Sequence, residues 1–450
     1  MSAEAILAVC LVIFTFLGCL ATRLHVGLSL MLSGILGIIV LRSLDAAVGT
    51  ASNQPYSAAA NYSLTIIPLF ILMGVLAVRA GLAQAGFDFS SRALRKLPGG
   101  SALASIAGSG LFAAVTGSSV ATVATMAKVS TDAITKAGHG LKLAAGVVCA
   151  GGTLGVLIPP SIVLVLYGIV ASESIGQLLL AGIGPGLLTI LAYGVTAMLI
   201  VTIENRWART NPDVTSAPKV QTTGSIQEKP KLDFVGVAFL AVIFIVSIGT
   251  IYMGIATPTE AASFGAIAAL IVTLIRVRPP KWLCALKDSM TEAIGLTAMT
   301  FLLMAGAGVF TYFLALSGTS SALVNSVVSA DLPPYVVLVL CLALLLPLGM
   351  FLDGISMILI AAPLLHPILT EYGFDGIWLG VLIVKVAEMA LITPPVGMNA
   401  FVYAGAVRGA GLGNVFRGIV PFIVADVAVV AVLIMIPDIV TFLPELSAAQ

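Results

Sequence analysis

Two short stretches set oxygen-bearing side chains beside glycine: "TGSSVATVAT" (Thr116 to Thr125) and "GMFLDGISM" (Gly349 to Met357). Two others carry a proline pair inside an apolar run: "GTLGVLIPPSIVLVLYG" (Gly152 to Gly168) and "ALITPPVGMNAF" (Ala390 to Phe401). A proline removes a backbone donor and clashes with the preceding turn. It also drives the residue before it out of the helical region. Each pair therefore opens a helix, exposing carbonyls and two half-helix ends. Those are groups that bind a cation and an anionic ligand. Thr153, Ser161, Thr393 and Asn399 add neutral oxygens beside the breaks, and Ser118, Ser119, Thr122, Thr125 and Asp353 add more in the glycine-flanked stretches. Pro159, Pro160, Pro394 and Pro395 bind nothing through their rings; they create the geometry.

The elements that must position these residues are membrane helices. The chain has 450 residues, is 59% hydrophobic and 9% charged, and has a mean hydropathy of +1.13, a combination foreign to soluble domains. Apolar runs of about 20 residues, each long enough for a bilayer core, recur along it. A net charge of +1 with no basic face excludes a nucleic-acid partner and leaves lipid as the surroundings. Cys10, Cys19, Cys149, Cys284 and Cys341 lack ligand spacing and read as small core residues. His25, His139 and His366 likewise read as structural. The first run, Glu4 to Ala21, lacks a basic flank and a cleavage site, so it reads as a span rather than a signal peptide.

Lys and Arg cluster near Arg23, at Arg92 to Lys96, Lys136 to Lys142, Arg206 to Lys231, Arg276 to Lys287 and Arg408 to Arg417. They are absent from Asp45 to Asn61, Ser172 to Gly176, Met253 to Thr259, Ser317 to Pro334 and Thr370 to Gly376. With the basic set cytoplasmic, the N-terminus lies outside and the spans alternate. They are 4–22, 24–42, 62–80, 141–170, 175–204, 233–253, 259–276, 288–316, 376–407 and 413–441. Segments 101–136 and 334–369 must then enter and leave on one face, as re-entrant hairpins. The polar stretch within 205–232 reads as a cytoplasmic linker between two halves. An offset of 235 residues carries Pro159-Pro160 onto Pro394-Pro395 and Ser118-Ser119 onto Asp353-Gly354. The charge rule gives the two copies opposite orientations, an inverted repeat of the kind found in secondary transporters. The expected fold is an all-α polytopic membrane protein. It has N-terminal scaffold helices (1–61), a first repeat (62–204), further scaffold helices (233–287) and a second repeat (288–450).

"GGTLGVLIPPS", "SIGQLLLAGIGPGLL", "GSSVATVAT", "GMFLDGIS" and "ITPPVGMNAFV" resemble the large membrane subunit of tripartite ATP-independent periplasmic (TRAP) transporters, in order and over nearly the whole chain. The resemblance implies an ion-transporter-superfamily fold, elevator-type movement, and sodium-coupled uptake of an organic acid across a bacterial or archaeal inner membrane. It implies two partners, a periplasmic substrate-binding protein and a small four-helix membrane subunit on a separate chain. It implies no cofactor beyond sodium as coupling ion. The candidate sodium ligands are Ser118, Ser119, Gly152, Thr153, Asp353, Gly354, Thr393 and Gly397. The candidate substrate set is Ser119, Thr122, Pro159, Pro160, Ser161, Ser356, Pro394, Pro395 and Asn399.

Several of these residues admit a second reading. Ser118 and Ser119 can return hydrogen bonds to their own helix, and Asp353 can cap the limb that follows it. Lys385 and Glu388, three apart on one helical face, most simply neutralise one another; Glu388 can also support the unwound segment or touch substrate. An intramembrane protease would need a base beside a serine, and no His or Lys stands in that pattern. No Walker motif is present, so ATP is not the motor. A stand-alone sodium- or proton-coupled symporter or antiporter of the same superfamily is the remaining alternative.

Overall fold

A computed structural model of the chain describes residues 3–210 and 233–448; the expected linker residues 211–232 lie outside it. No strand occurs among the described residues. Eight helices among them are long and apolar enough to cross a membrane. A ninth span forms if the bent pair Leu141–Leu157 and Ile162–Ala171 is counted as one. The pair bends by 44° at the first proline break. The second break divides Gly376–Ala390 from Met398–Ala406. Both expected hairpins form as helix pairs whose limbs pack on each other: Gly100–Thr116 with Ser119–Lys136, and Pro334–Gly349 with Gly354–Glu371.

The structure departs from the sequence reading at five places. Leu44–Ala60 and Thr319–Ser329 are helices where loops between spans were expected. In the first of these, Ser43 accepts from the Ala46 amide and so starts a helix that alanines then carry. Leu82–Leu94 adds an amphipathic helix before the first hairpin, with Leu82, Ala85 and Phe87 inward and Arg92 in the last turn. The helix Ile183–Thr210 runs through the first residues assigned to the linker. Pro279–Lys281 starts a long element, so the helix Trp282–Leu316 begins six residues before the expected span at 288.

Close crossings rest on glycine. A Cβ on Gly146 would stand 2.1 Å from the Gly418 carbonyl oxygen, and one on Gly418 would stand 2.0 Å from the Lys142 carbonyl oxygen. Leu141–Leu157 and Leu412–Met435 therefore touch backbone to backbone, a contact that small residues permit in membranes. At the basic end of the spans, Arg276 donates to the Ala80 carbonyl at 2.7 Å and pairs with Asp233. Its hydrogen bond holds the Asp233 carboxyl below the usual carboxylate range. Thr131 and Tyr403 meet at 3.0 Å, tying the first hairpin to the helix after the second break. Tyr167 lies 2.9 Å from His366 Nδ1 and donates to the Gly376 carbonyl at 3.1 Å, so the second limb of the first broken helix is bound to the second hairpin and to the start of the second broken helix.

Because no side chain fits at the Gly146–Gly418 crossing, Gly146→Val should destabilise the protein by about 3 kcal/mol or more. Thermal unfolding of the detergent-solubilised protein measures this. A variant melting with the parent would show that the two helices do not cross at this point.

Candidate functional site

The first hairpin turns at Gly117, whose φ of +60° is costly for any residue with a Cβ. A Cβ there would lie 2.5 Å from the Pro160 carbonyl oxygen, so the tip rests directly on the first break. Gly155 faces the Ser118 carbonyl and the Thr122 hydroxyl, while Gly152 faces the Ser119 carbonyl and the Asn399 amide nitrogen. At the second tip, Gly354 lies against a carboxylate oxygen of Glu388 (3.0 Å from a built Cβ), with Leu391 and Val163 beyond. Glycine at these positions lets two hairpin tips and two broken helices converge on one region.

Most of the oxygens singled out from the sequence are spent on local backbone. Ser118 accepts from the Ala121 amide at 3.4 Å and starts its helix. Thr122 donates to the Ser118 carbonyl at 2.8 Å and meets Thr116 at 3.2 Å. Ser161 accepts from the Leu164 amide at 3.1 Å, capping the limb after the first break. Asp353 accepts from the Ile355 and Ser356 amides at 3.2 and 3.4 Å and from the Ser356 hydroxyl, so it caps the second limb. Thr393 donates to the Met389 carbonyl at 2.7 Å. Gly397 has a φ of +56° and packs on Phe416 and the Thr393 carbonyl. Both proline pairs have a cis peptide bond between their two prolines. Thr153 turns elsewhere: it donates to the Ala150 carbonyl at 2.7 Å and lies 3.0 Å from the Tyr193 hydroxyl.

Three half-helices thus begin in this region behind a polar cap, at Ser118, Ser161 and Asp353. Each presents the partial positive charge and unbonded amides of its first turn, which suits an anionic ligand. Two side chains are not spent. Neither carboxylate oxygen of Glu388 and neither amide atom of Asn399 has a hydrogen-bond partner of good geometry, although the residues are 1% and 0% exposed. Ser119 stands beside Glu388. Its carbonyl faces Gly152, next to Asn399, so it sits between the two. Leaving buried polar atoms unpaired costs about 1–3 kcal/mol each. Such atoms, on the second broken helix and facing the hairpin tips, are therefore the groups best placed to meet ion or substrate.

Lys385 does not neutralise Glu388. Its ammonium pairs instead with Asp426, on the helix Leu412–Met435, in a fully buried contact. Asp426 was not recognisable as its partner, because 41 residues separate them and Asp426 is a lone acid in an apolar run. In the sequence Glu388 stood as half of an i,i+3 pair, with support of the unwound segment or substrate contact as the other readings. Correcting that pairing leaves its carboxyl group without a salt-bridge partner among the described residues. The surface grooves, of about 500 Å³ beside Trp282 and about 400 Å³ between Pro68 and Phe301, contain none of these residues.

Paired hairpins and paired broken helices define a multi-pass helical membrane protein, and a solved structure shares the fold. The Alcanivorax borkumensis YdaH transporter superposes with a TM-score of 0.61 at 15% identity, over 87% of each chain. The chain itself belongs to the DctM component family of tripartite ATP-independent periplasmic transporters, whose family model matches residues 13–439. It is 32% identical to the C4-dicarboxylate TRAP transporter large permease protein DctM of Pseudomonas aeruginosa, over 94% of this chain and 93% of that one. It is 29% identical to the sialic acid TRAP transporter large permease protein SiaM of Vibrio cholerae, over 96% and 98%. It is also 30% identical to the isethionate TRAP transporter permease protein DctMQ of Oleidesulfovibrio alaskensis, spanning 94% of this chain and 64% of that protein. These relatives are transporter permeases, not enzymes.

Glu388 makes no hydrogen bond of good geometry, and glutamine keeps its shape and an oxygen toward Ser119, so Glu388→Gln should melt within a few degrees of the parent. Uptake should fall at least about tenfold if the carboxylate meets ion or substrate. Substrate uptake and melting temperature are read on the same preparation. A transport-competent Glu388→Gln protein would make the residue a structural one.

Proposed function

We propose that the chain is the large permease subunit of a binding-protein-dependent secondary transporter that takes up an organic acid across the inner membrane, coupled to sodium. Residues 62–204 and 288–450 act as two inverted repeats. Their hairpins are re-entrant, and their tips and breaks move together, elevator-fashion, against a scaffold formed by the remaining helices. The observation that carries this reading is the convergence of Ser119, Glu388 and Asn399 with three capped half-helix N-termini in one buried region. The amide-lined helix starts suit a carboxylate, and the unspent carboxylate suits a cation. The relatives named for C4-dicarboxylate and sialic acid support an acidic substrate.

The described segments on the side lacking Lys and Arg are short, the largest being Leu44–Ala60 and Thr319–Ser329. Capture of dilute substrate therefore falls to a separate periplasmic binding protein. A small four-helix membrane subunit braces the scaffold from the lipid side. The DctMQ relative, of which this chain spans 64%, supports such a pairing.

Proteoliposomes holding this chain and its small subunit should accumulate substrate only with the binding protein added and a sodium gradient directed inward. Sodium-driven uptake without the binding protein would assign the chain to the stand-alone symporters. Uptake indifferent to sodium but driven by a proton gradient would replace the coupling ion. Orientation has its own check. A single cysteine replacing Ser320 should react with an impermeant reagent in intact cells, and one replacing Thr222 only after the membrane is opened. Labelling of position 222 from outside would remove the inverted repeat.

A further inference from the structure

A second polar cluster lies one turn away from the candidate site and belongs to different chemistry. Asp426 accepts from the Tyr193 hydroxyl through both carboxylate oxygens, at 2.7 and 2.8 Å, and pairs with the Lys385 ammonium. Thr153 lies 3.0 Å from the Tyr193 hydroxyl. The ammonium stands 5.4 Å from the centre of the Tyr193 ring, in cation–π range. All four side chains are 0% exposed. They come from four different helices: Leu141–Leu157, Ile183–Thr210, Gly376–Ala390 and Leu412–Met435.

An ammonium and an alkali cation make the same demand on a protein. Each carries one positive charge and seeks a carboxylate, with further hard oxygens to complete its surroundings. Here the tethered cation rests on one carboxylate oxygen of Asp426, the Tyr193 phenol oxygen is hydrogen-bonded to both oxygens of that carboxylate, and the Thr153 oxygen lies next to the phenol, so three hard oxygen donors are chained together beside the ammonium. We propose that Asp426, Tyr193 and Thr153 form a monovalent-cation seat that Lys385 fills from within the chain. Removal of the lysine ammonium opens the seat to a free sodium ion.

This assignment gives Lys385 a positioning and charge-setting role beyond neutralising one acid. It stands one turn from Glu388 on the same helix, so one internal cation serves a region that holds two buried carboxyl groups. With Lys385 committed to Asp426, Glu388 is the one of these two left for an exchangeable cation. The lysine thereby sets how many free cations the protein takes up. Removing the ammonium while Asp426 remains would leave a buried charge uncompensated, a large penalty that a bound sodium ion relieves.

The test uses the purified full-length chain in detergent, with thermal unfolding followed in sodium chloride and in choline chloride at equal ionic strength. A ligand that binds only the folded state raises Tm with its concentration. Lys385→Met should show a sodium-dependent rise in Tm larger than that of the parent by about 3 °C or more. The excess should vanish in the Lys385→Met, Asp426→Asn double variant, and it should be absent from Lys385→Arg, which keeps a tethered cation. Folding of Lys385→Met in sodium but not in choline would be the same result in stronger form. Three outcomes overturn the proposal: a Lys385→Met response no larger than the parent's, an excess that survives in the double variant, or a Lys385→Met chain that folds in neither salt while the double variant folds. The proposal uses the sodium-coupled reading only to give the seat a purpose, and the readout is binding rather than transport. Failure of sodium-driven uptake by the intact protein would sink the coupling reading and leave this result standing.

Discussion

A helix opened inside a membrane must find protein partners for the backbone groups it releases, because hydrocarbon offers none. This constraint organises the middle of the molecule. Ser161 occupies an amide of the first break, and the Asn399 backbone amide donates to the Leu391 carbonyl across the second at 3.2 Å. The first hairpin tip and a neighbouring helix junction then cover part of what remains. Gly117, at the tip, lies on the Pro160 carbonyl and Gly182, at the junction before Ile183–Thr210, on the Leu157 carbonyl, each at a distance that excludes a side chain. The glycines at the tips, the capping oxygens and the prolines are therefore one solution to one problem. A change at any of them exposes polar backbone at the place least able to solvate it.

Polar side chains here divide by whether that problem consumes them. Ser118, Ser161, Asp353 and Ser356 are engaged in starting helices. Their contribution to a ligand is indirect, through the amides they leave aligned in the first turn. Glu388 and Asn399 are left over, with side-chain atoms that no hydrogen bond of good geometry consumes. The same division separates the two buried anions on the second repeat's helices. Asp426 has a lysine, a tyrosine and a bidentate geometry, whereas Glu388 has Ser119 for a neighbour and no hydrogen bond of good geometry.

Several polar contacts join the two halves, beside the Arg276 bond to the Ala80 carbonyl. Tyr167 with His366 and Gly376 joins them towards the side read as outer. Thr131 with Tyr403 joins them towards the other side. Tyr193 with Asp426 joins them at the level of the breaks. The Gly146–Gly418 crossing brings the first broken helix against the helix that carries Asp426. Polar groups drawn from both halves are thus held in one frame by tyrosine hydroxyls and close glycine crossings, with apolar packing between.

The sequence alone determined the membrane setting, the two hairpins, the two breaks and their common offset, because each is written in local patterns: apolar run length, glycine beside serine, paired prolines. It also supplied the family, through motifs lying in order along the chain. Local pattern misread the stretches 44–60 and 319–329 as loops, since charge counting sees the side of the membrane and not the helicity of a short segment. Which polar atoms are free was decided only by tertiary structure. Lys385 lies three residues from one acid and 41 from another, and the nearer acid was the natural choice by helical spacing. Packing of Gly376–Ala390 against Leu412–Met435 points the ammonium at Asp426 instead. A buried charge pairs with whatever the fold brings within a few ångströms, and sequence separation carries no information about that distance.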